Sequence, residues 1–173
     1  MSNHPVRFGF MAGGITIAIL IFLYILSKNT LLQFGSFIEF FVVIYFMTRA
    51  VGATRNDGNG FISFNDAFKA SWLTFILASS LVAIFIFILM NYIDPSLKDM
   101  LKQLQLESIE QVSSIFSFGE EVKEQMIDQI QESDVNGIKS LAYQLPLSFF
   151  FPGVIYALVI SLIMKRNPPL INE

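Results

Sequence analysis

Charged residues divide the chain into four long apolar segments. Residues 8–27, 29–48, 70–93 and 140–164 are 20, 20, 24 and 25 residues long, and Glu39 is the one charged residue within them. Because an α-helix rises about 1.5 Å per residue, about 20 residues cross the hydrocarbon core of a bilayer. A membrane strand needs about ten residues that alternate polar with apolar positions, and these segments do not alternate. The pattern therefore predicts four transmembrane helices.

The connections between these segments predict the architecture. We predict an all-α fold in which residues 1–173 form a single membrane domain, an integral membrane four-helix bundle. The first segment is too long for a signal-peptide core and is expected to remain as a span. Because few residues separate the first two segments, helices 1 and 2 should form a tight antiparallel hairpin. The spans are expected at 8–27, 31–48, 68–93 and 141–164, with an extramembrane amphipathic helical insert at 95–138 between helices 3 and 4.

The insert has a helical pattern of its own. Asp94, Pro95 and Ser96 predict the end of helix 3 and the N-cap of a new helix, which Gly119 ends. One interpretation places the insert on the bilayer surface or on the bundle. The other makes it a docking surface for a membrane-protein partner or for a second copy in a homo-oligomer. Its apolar residues mostly recur three and four positions apart: Leu97, Met100, Leu101, Leu104, Ile109, Val112, Ile115 and Phe116, then Val122, Met126, Ile127 and Ile130.

The composition agrees with a membrane protein and excludes several kinds of site. Charged residues make up 14% of the chain, whereas soluble domains carry about 25%. A net charge of −3 does not indicate a nucleic-acid partner. The chain has no cysteine and one histidine, His4, so it predicts neither a metal site nor a cofactor. The lipid bilayer is the predicted partner.

The basic residues predict the orientation. An even number of spans places both termini and the connection between helices 2 and 3 on one side. That side carries all four arginines, whereas the opposite side carries lysines, of which Lys102 and Lys123 lie deep in the insert. Such distant lysines count little in the positive-inside rule. We therefore expect cytoplasmic N- and C-termini and an extracytoplasmic insert.

Glu39 is the candidate functional residue, because it lies near the middle of its apolar segment. Gly35, Ser36, Val42 and Val43, three and four positions away, are smaller than the surrounding phenylalanines, so this face should point inward. An ionised carboxylate at that depth costs about 3 kcal/mol or more. Glu39 is therefore expected to be protonated or hydrogen-bonded to hydroxyl groups. The hydroxyls at comparable depth in the other helices belong to Thr16, Ser80 and Ser148.

Small residues recur at spacings that permit close helix packing. Gly9 and Gly13 form a G-x-x-x-G motif in helix 1, and Gly153, Ala157 and Ser161 repeat at the same interval in helix 4. In a membrane, such residues let helix backbones approach each other without help from the hydrophobic effect. The two interpretations are packing within one bundle and homodimerisation.

No segment predicts catalytic chemistry. The chain lacks the patterns of serine hydrolases, zinc proteases and phosphate-binding loops, so we expect no catalytic residue and no enzymatic activity. Residues 57–63 are similar to the middle of a calcium-binding EF-hand loop. However, Arg55 stands at the first ligand position, where calcium requires an acid, and Asp66 replaces the bidentate glutamate. We expect a turn there.

The segment from Gly60 to Lys69, GFISFNDAFK, resembles the G-x-I-S-F-x-x-A-F-K signature of a family of small bacterial inner-membrane proteins, domain of unknown function 4199. The entry to helix 1 at residues 8–13, the long insert, and the start of helix 4 between Pro146 and Pro152 extend the resemblance over nearly the whole chain. The resemblance implies four helices and a bacterial inner-membrane location. It implies no site residues, because the family has no established activity.

Two hypotheses for function remain open. In the first, the chain is a structural, assembly or accessory component of a bacterial inner membrane, and Glu39 is a polar clasp between helices. In the second, it is a small transporter or channel component in which Glu39 binds a proton or cation. The two differ in whether Glu39 faces a polar, water-reachable space or is sealed by apolar side chains.

Overall fold

The computed structural model describes residues 3–116, 119–133 and 137–168. These residues are almost entirely helical, which confirms the all-α prediction. The helices are α1 (His4–Leu26), α2 (Lys28–Asp57), α3 (Phe64–Ile88) with a π-helical turn (Leu89–Ile93), α4 (Ser96–Phe116), α5 (Glu120–Glu132), α6 (Ile138–Phe150) and α7 (Gly153–Met164).

Four helical segments are long and apolar enough to cross a membrane. They are 23, 30, 30 and 27 residues long and correspond to the four predicted spans. Large apolar side chains such as Phe22, Phe37 and Ile163 are exposed on their outer faces, as expected for helices that contact lipid. The chain therefore has the helices of an integral membrane protein. The segments are His4–Leu26, Lys28–Asp57, Phe64–Ile93 and Ile138–Met164.

At two places the helices differ in extent from the predicted spans. The second span is predicted at 31–48, and helix α2 runs from Lys28 to Asp57. Charged side chains mark the end of an apolar run, not of a helix, and Ala50 and Val51 carry the buried face onward. The fourth apolar segment consists of two helices, α6 and α7. Helix α6 contains Pro146 and ends before Pro152. Proline lacks the N–H that a continuous helix would use, so it favours an end to α6.

The chain divides into two compact units. The span unit comprises the residues up to Phe85 and those from Gln144. Its core contains many alanines, whose small side chains allow close helix packing. The core residues on its helices are Ala12 from α1; Val43, Phe46, Met47 and Val51 from α2; Ala67, Ala70, Phe75 and Ala78 from α3; and Ala157 and Ile160 from α7.

One end of the span unit brings together distant parts of the chain. His4 Nε2 at the start of α1 lies 3.1 Å from Asp57 Oδ2 at the end of α2. The backbone N–H of Ile62 donates to Arg166 O at 2.9 Å, and Arg166 N–H donates to Ile62 O at 3.0 Å. The first residues, the α2–α3 connection and the segment after α7 therefore share one end of the unit. An even number of crossings requires this arrangement.

The hairpin unit, Ile86–Tyr143, begins with the last three residues of α3, which are followed by the π-helical turn. Asp94 N–H donates to Leu89 O at 2.7 Å, and the Ser96 hydroxyl donates to Asp94 Oδ1 at 2.6 Å where α4 begins. These bonds end one helix and start the next at the predicted Asp-Pro-Ser sequence.

Helices α4 and α5 form an antiparallel pair within the hairpin unit. Lys102 Nζ, in the second turn of α4, donates to Gln131 O near the end of α5 at 3.0 Å. Leu97 at the start of α4 is fully buried, whereas α5 has no buried residue. The helix pair is therefore closed at its root, where α4 starts and α5 ends, and more open toward its tip.

Candidate polar site between the apolar helices

The small residues of α1 pack directly on α3. A Cβ atom added at Gly9 would lie 2.8 Å from Leu77 Cβ, and one added at Gly13 would lie 2.9 Å from Leu81 Cβ. Real Cβ atoms do not approach each other this closely, so both positions require glycine. The structure thus uses the G-x-x-x-G motif for contact within the chain. Between the contact of Gly9 with Leu77 and that of Gly13 with Leu81, the residue numbers increase along both helices. Helices α1 and α3 therefore run parallel.

The small residues of α7 also face the interior of the span unit. A Cβ atom at Gly153 would lie 2.6 Å from Phe75 Cε1, because the Phe75 ring of α3 packs against the start of α7. Ala157 and Ser161 are fully buried. The Ser161 hydroxyl donates to the carbonyl of Ala157 in its own helix. This stripe also packs against helices of the same chain.

Helices α1 and α2 form the predicted antiparallel hairpin around Ser27. A Cβ atom at Gly35 would lie 3.2 Å from Leu20 Cδ2. Further from the turn, the ring centroids of Phe8 and Phe46 are 6.2 Å apart. In antiparallel helices of equal rise, each step forward in α2 corresponds to a step back in α1. The contacts of Gly35 with Leu20 and of Phe46 with Phe8 follow this rule. They therefore define which residues of α1 and α2 lie opposite each other.

The register places Thr16 of α1 level with Glu39 of α2. Each lies four residues, about one helical turn, beyond the close contact at Gly35. Glu39 is partly buried and lies in a row of buried residues spaced by four, between Leu31 with Gly35 on one side and Val43 on the other. Of the face expected to point inward, Gly35 and Val43 are buried, Val42 is partly buried and Ser36 is exposed.

A hydroxyl from a third helix contacts the carboxyl group. The Ser79 hydroxyl of α3 donates a hydrogen bond to the Glu39 carboxyl. Ser79 is 7% exposed and Thr16 is fully buried. The Thr16 hydroxyl has no hydrogen-bond partner among the described residues. Ser79 thus contacts Glu39, and the register places Thr16 of a third helix level with Glu39; we call these three residues the polar cluster.

The structure pairs Glu39 with Ser79 rather than with the predicted Ser80. Consecutive helical residues point about 100° apart, and Ser79 lies on the buried face of α3 whereas Ser80 is only partly buried. The Ser148 hydroxyl donates to Leu145 O at 2.8 Å within α6. Only the rotation of α3 distinguishes the two serines, and the sequence alone does not give that rotation.

Thr16 differs from the other buried hydroxyl residues of the span unit. The Ser71 hydroxyl donates to Ala67 O at 2.9 Å, and the Thr74 hydroxyl donates to Ala70 O at 2.8 Å. Both bonds are of the type that satisfies a buried hydroxyl within its own helix. Leaving a buried hydroxyl unpaired costs about 1–3 kcal/mol. The Thr16 hydroxyl makes no such bond with the described residues.

The polar cluster offers only oxygen atoms. Carboxyl and hydroxyl oxygens bind protons or coordinate hard cations, and they offer no soft ligand. Among the described residues there is no group of three or more His, Cys, Asp and Glu side chains that could hold a metal ion. With a single carboxyl group, the chemistry that the polar cluster supports is the binding of one positive charge.

A second candidate surface lies at the tip of the hairpin unit. Val112 and Ile115 of α4 and Val122 and Met126 of α5 are between 40% and 73% exposed, although Leu97 at the root of α4 is fully buried. These four residues, which we call the apolar tip, lie close to the turn between the two helices. Exposed apolar side chains grouped in this way mark interaction surfaces.

The signature segment before α3 has a structural role. Asn59 and Gly60 have positive φ angles of 55° and 87°, which form the turn. The Ser63 hydroxyl donates to Asp66 Oδ2 at 2.7 Å and accepts the Asp66 N–H at 3.1 Å, which caps α3. Ile62 lies between this turn and the cap, and it pairs with Arg166 in the segment after α7. The segment thus turns the chain, starts α3 and connects it to the end of the last helix.

Comparisons with known proteins give one result. The family model described as Protein of unknown function (DUF4199) matches residues 7–166, which is nearly the whole chain. No curated protein and no solved structure matches the chain. The matched range includes all the helices described above except the first three residues of α1. The chain therefore belongs to the DUF4199 family of proteins of unknown function.

Proposed function

We propose that the chain is an integral protein of the bacterial inner membrane that crosses it four times as a four-helix bundle. Both termini and the α2–α3 connection lie in the cytoplasm in this proposal, and the helix pair α4–α5 is the extracytoplasmic insert. The four apolar helices support the crossings. The position of all four arginines on the side of the termini supports the orientation.

The proposed role is that of a structural, assembly or accessory component that contacts another membrane protein. The apolar tip carries this proposal, because Ile115 is 73% exposed and its neighbours Val112, Val122 and Met126 are also exposed. Residues 94–139 contain ten acidic residues and four lysines, a net charge of −6. An anionic lipid surface or a second copy would repel this charge. We therefore infer a partner protein with a basic surface around an apolar patch.

Site-specific photocrosslinking in living cells tests this role. A photoreactive amino acid at Met126, on the apolar tip, should give one discrete adduct with another protein. The same amino acid at Glu124, on the acidic face of α5, serves as the matched control and should give much less. The substitution Val122→Gln should weaken the Met126 adduct, because it removes an apolar neighbour from the contact. An adduct of two copies of the chain, or lipid adducts alone, would contradict the proposal.

A second candidate function is that of a small transporter or channel component that uses Glu39. The observation that favours it is the unpaired hydroxyl of Thr16 at the level of Glu39. Purified protein in liposomes with a trapped pH indicator should then carry protons or cations when a membrane potential is imposed. Glu39→Gln should abolish the flux, whereas Glu132→Gln in α5 should not. Equal flux with Glu39→Gln and wild type would reject this candidate.

A further inference from the structure

The charge of the polar cluster limits its ligand. Glu39 is the one charged residue in the four apolar segments, so its carboxylate is the one formal charge there. A charge left uncompensated inside the hydrocarbon core is unfavourable. One proton or one monovalent cation makes the site neutral, whereas a divalent cation leaves a net positive charge. The site therefore favours a single positive charge.

The oxygen atoms of the polar cluster can surround such a ligand from three helices. The Ser79 hydroxyl already bonds to the Glu39 carboxyl. Thr16 is fully buried, and its hydroxyl is unpaired among the described residues. A threonine with this level of burial usually bonds to its own helix, as Thr74 does. Its hydroxyl is the second hydroxyl group of the polar cluster and lies level with Glu39.

We propose that Thr16, Glu39 and Ser79 form a binding site for one monovalent cation, a proton or Na⁺, that exchanges with the aqueous phase. This deepens the second candidate function and rests on the helices crossing the membrane. Glu39 supplies the negative charge, and the two hydroxyls supply neutral oxygen ligands. Glu39 is only partly buried, so its side chain reaches the surface of the span unit.

The surroundings of the site contain few other titratable groups. Residues 8–26 of α1 and 70–88 of α3 include no Asp, Glu, Lys, Arg or His residue. The segment that contains α7 contributes the tyrosine Tyr156, whose ring centroid lies 5.4 Å from that of Phe40, the neighbour of Glu39. A titration observed at this depth below the range of tyrosine therefore belongs to Glu39.

Modification by dicyclohexylcarbodiimide tests the site. The protonated carboxyl adds to the carbodiimide, and the adduct rearranges to a stable N-acylurea that mass spectrometry detects. We expect one modification in the full chain in lipid nanodiscs, located at Glu39 by peptide mapping and absent in Glu39→Gln. Its rate should fall about tenfold for each pH unit above a midpoint, since only the protonated form reacts.

Sodium ions distinguish the two ligands. If Na⁺ binds, replacing choline chloride by NaCl at constant ionic strength should slow the modification of Glu39 at a fixed pH. If the ligand is a proton alone, NaCl should have no effect and the pH dependence should remain. Both results support a monovalent cation site. An unreactive Glu39 at every pH would overturn the proposal, because the carboxyl would then be a sealed clasp.

Substitution of Thr16 tests whether its hydroxyl belongs to the site. Thr16→Val keeps the shape but removes the hydroxyl that we expect to donate to the Glu39 carboxylate once it is ionised, so modification above the midpoint should become about tenfold faster. Thr48→Val, the same change at the edge of the apolar segment of α2, is the matched control and should behave like wild type. A Thr16→Val profile that superimposes on the wild-type profile would overturn the three-residue site.

Binding and transport can fail separately in these experiments. Carbodiimide modification reports occupancy of the site without any flux. A protein that shows the expected modification but carries no cation in liposomes would retain this binding site and reject the transport function. A protein that transports with an unreactive Glu39 would reject the binding site and leave transport to other residues.

Discussion

At the scale of single residues, the adjacent glycines Gly13 and Gly14 are not equivalent. A Cβ atom at Gly13 would lie 2.9 Å from Leu81 Cβ and 3.3 Å from the carbonyl oxygen of Ala78, whereas one at Gly14 would meet nothing within 4 Å. The two positions share the same helix and the same backbone conformation, so they differ only in what packs against them. Space between α1 and α3 decides which glycine is required.

We predict opposite effects of one substitution at these two positions. Gly13→Leu should lower the thermal stability of the purified protein in detergent, because overpacking costs about 1–3 kcal/mol. Gly14→Leu should leave stability unchanged or raise it, because leucine exceeds glycine in helix propensity by up to about 1 kcal/mol. Melting followed by circular dichroism measures both. Equal loss of stability in both variants would show that α1 and α3 do not pack in this way.

At the scale of the elements, the start of α3 depends on two hydrogen bonds between Ser63 and Asp66. The hydroxyl accepts the Asp66 N–H at 3.1 Å and donates to the Asp66 carboxylate at 2.7 Å. Next to this cap, Ile62 pairs with Arg166 after α7. The α2–α3 connection therefore sets where α3 begins and also holds the segment just after α7.

We predict that Ser63→Ala lowers the free energy of unfolding by about 1 kcal/mol, the usual effect of losing an N-cap side chain. Ser63→Thr should retain most of the stability, since its hydroxyl can make the same bonds. Unfolding of purified protein in mixed micelles, followed by far-ultraviolet circular dichroism, measures the difference. If alanine were as stable as serine, the cap would contribute nothing to the fold.

At the scale of the whole molecule, the proposed topology follows from the number of crossings. The contacts of His4 with Asp57 and of Ile62 with Arg166 place the start of α1, the α2–α3 connection and the segment just after α7 together. Two or four crossings satisfy this arrangement, and four helices have the required length. The turn of the helix pair should therefore be on the opposite side of the membrane.

Cysteine labelling tests this topology, and the absence of native cysteines makes it simple. Gly119→Cys lies between α4 and α5, where a Cβ atom meets nothing within 4 Å. It should react with a membrane-impermeant maleimide in intact spheroplasts. Asn65→Cys, exposed at the start of α3, should react only after lysis. The reverse result would invert the orientation, and labelling of both from outside would exclude four crossings.

The sequence alone determined which segments are helices long enough to cross a membrane, because hydrophobic length is a local property. It also identified Glu39, since a charge stands out in an apolar segment. Only the tertiary structure decided that Ser79 rather than Ser80 meets Glu39, and that Thr16 lies level with it with a free hydroxyl. Which side chain contacts Glu39 depends on the rotation and register of the helices. Contacts between segments that are distant in sequence set both. For the same reason, only the fold separated Gly13 from Gly14.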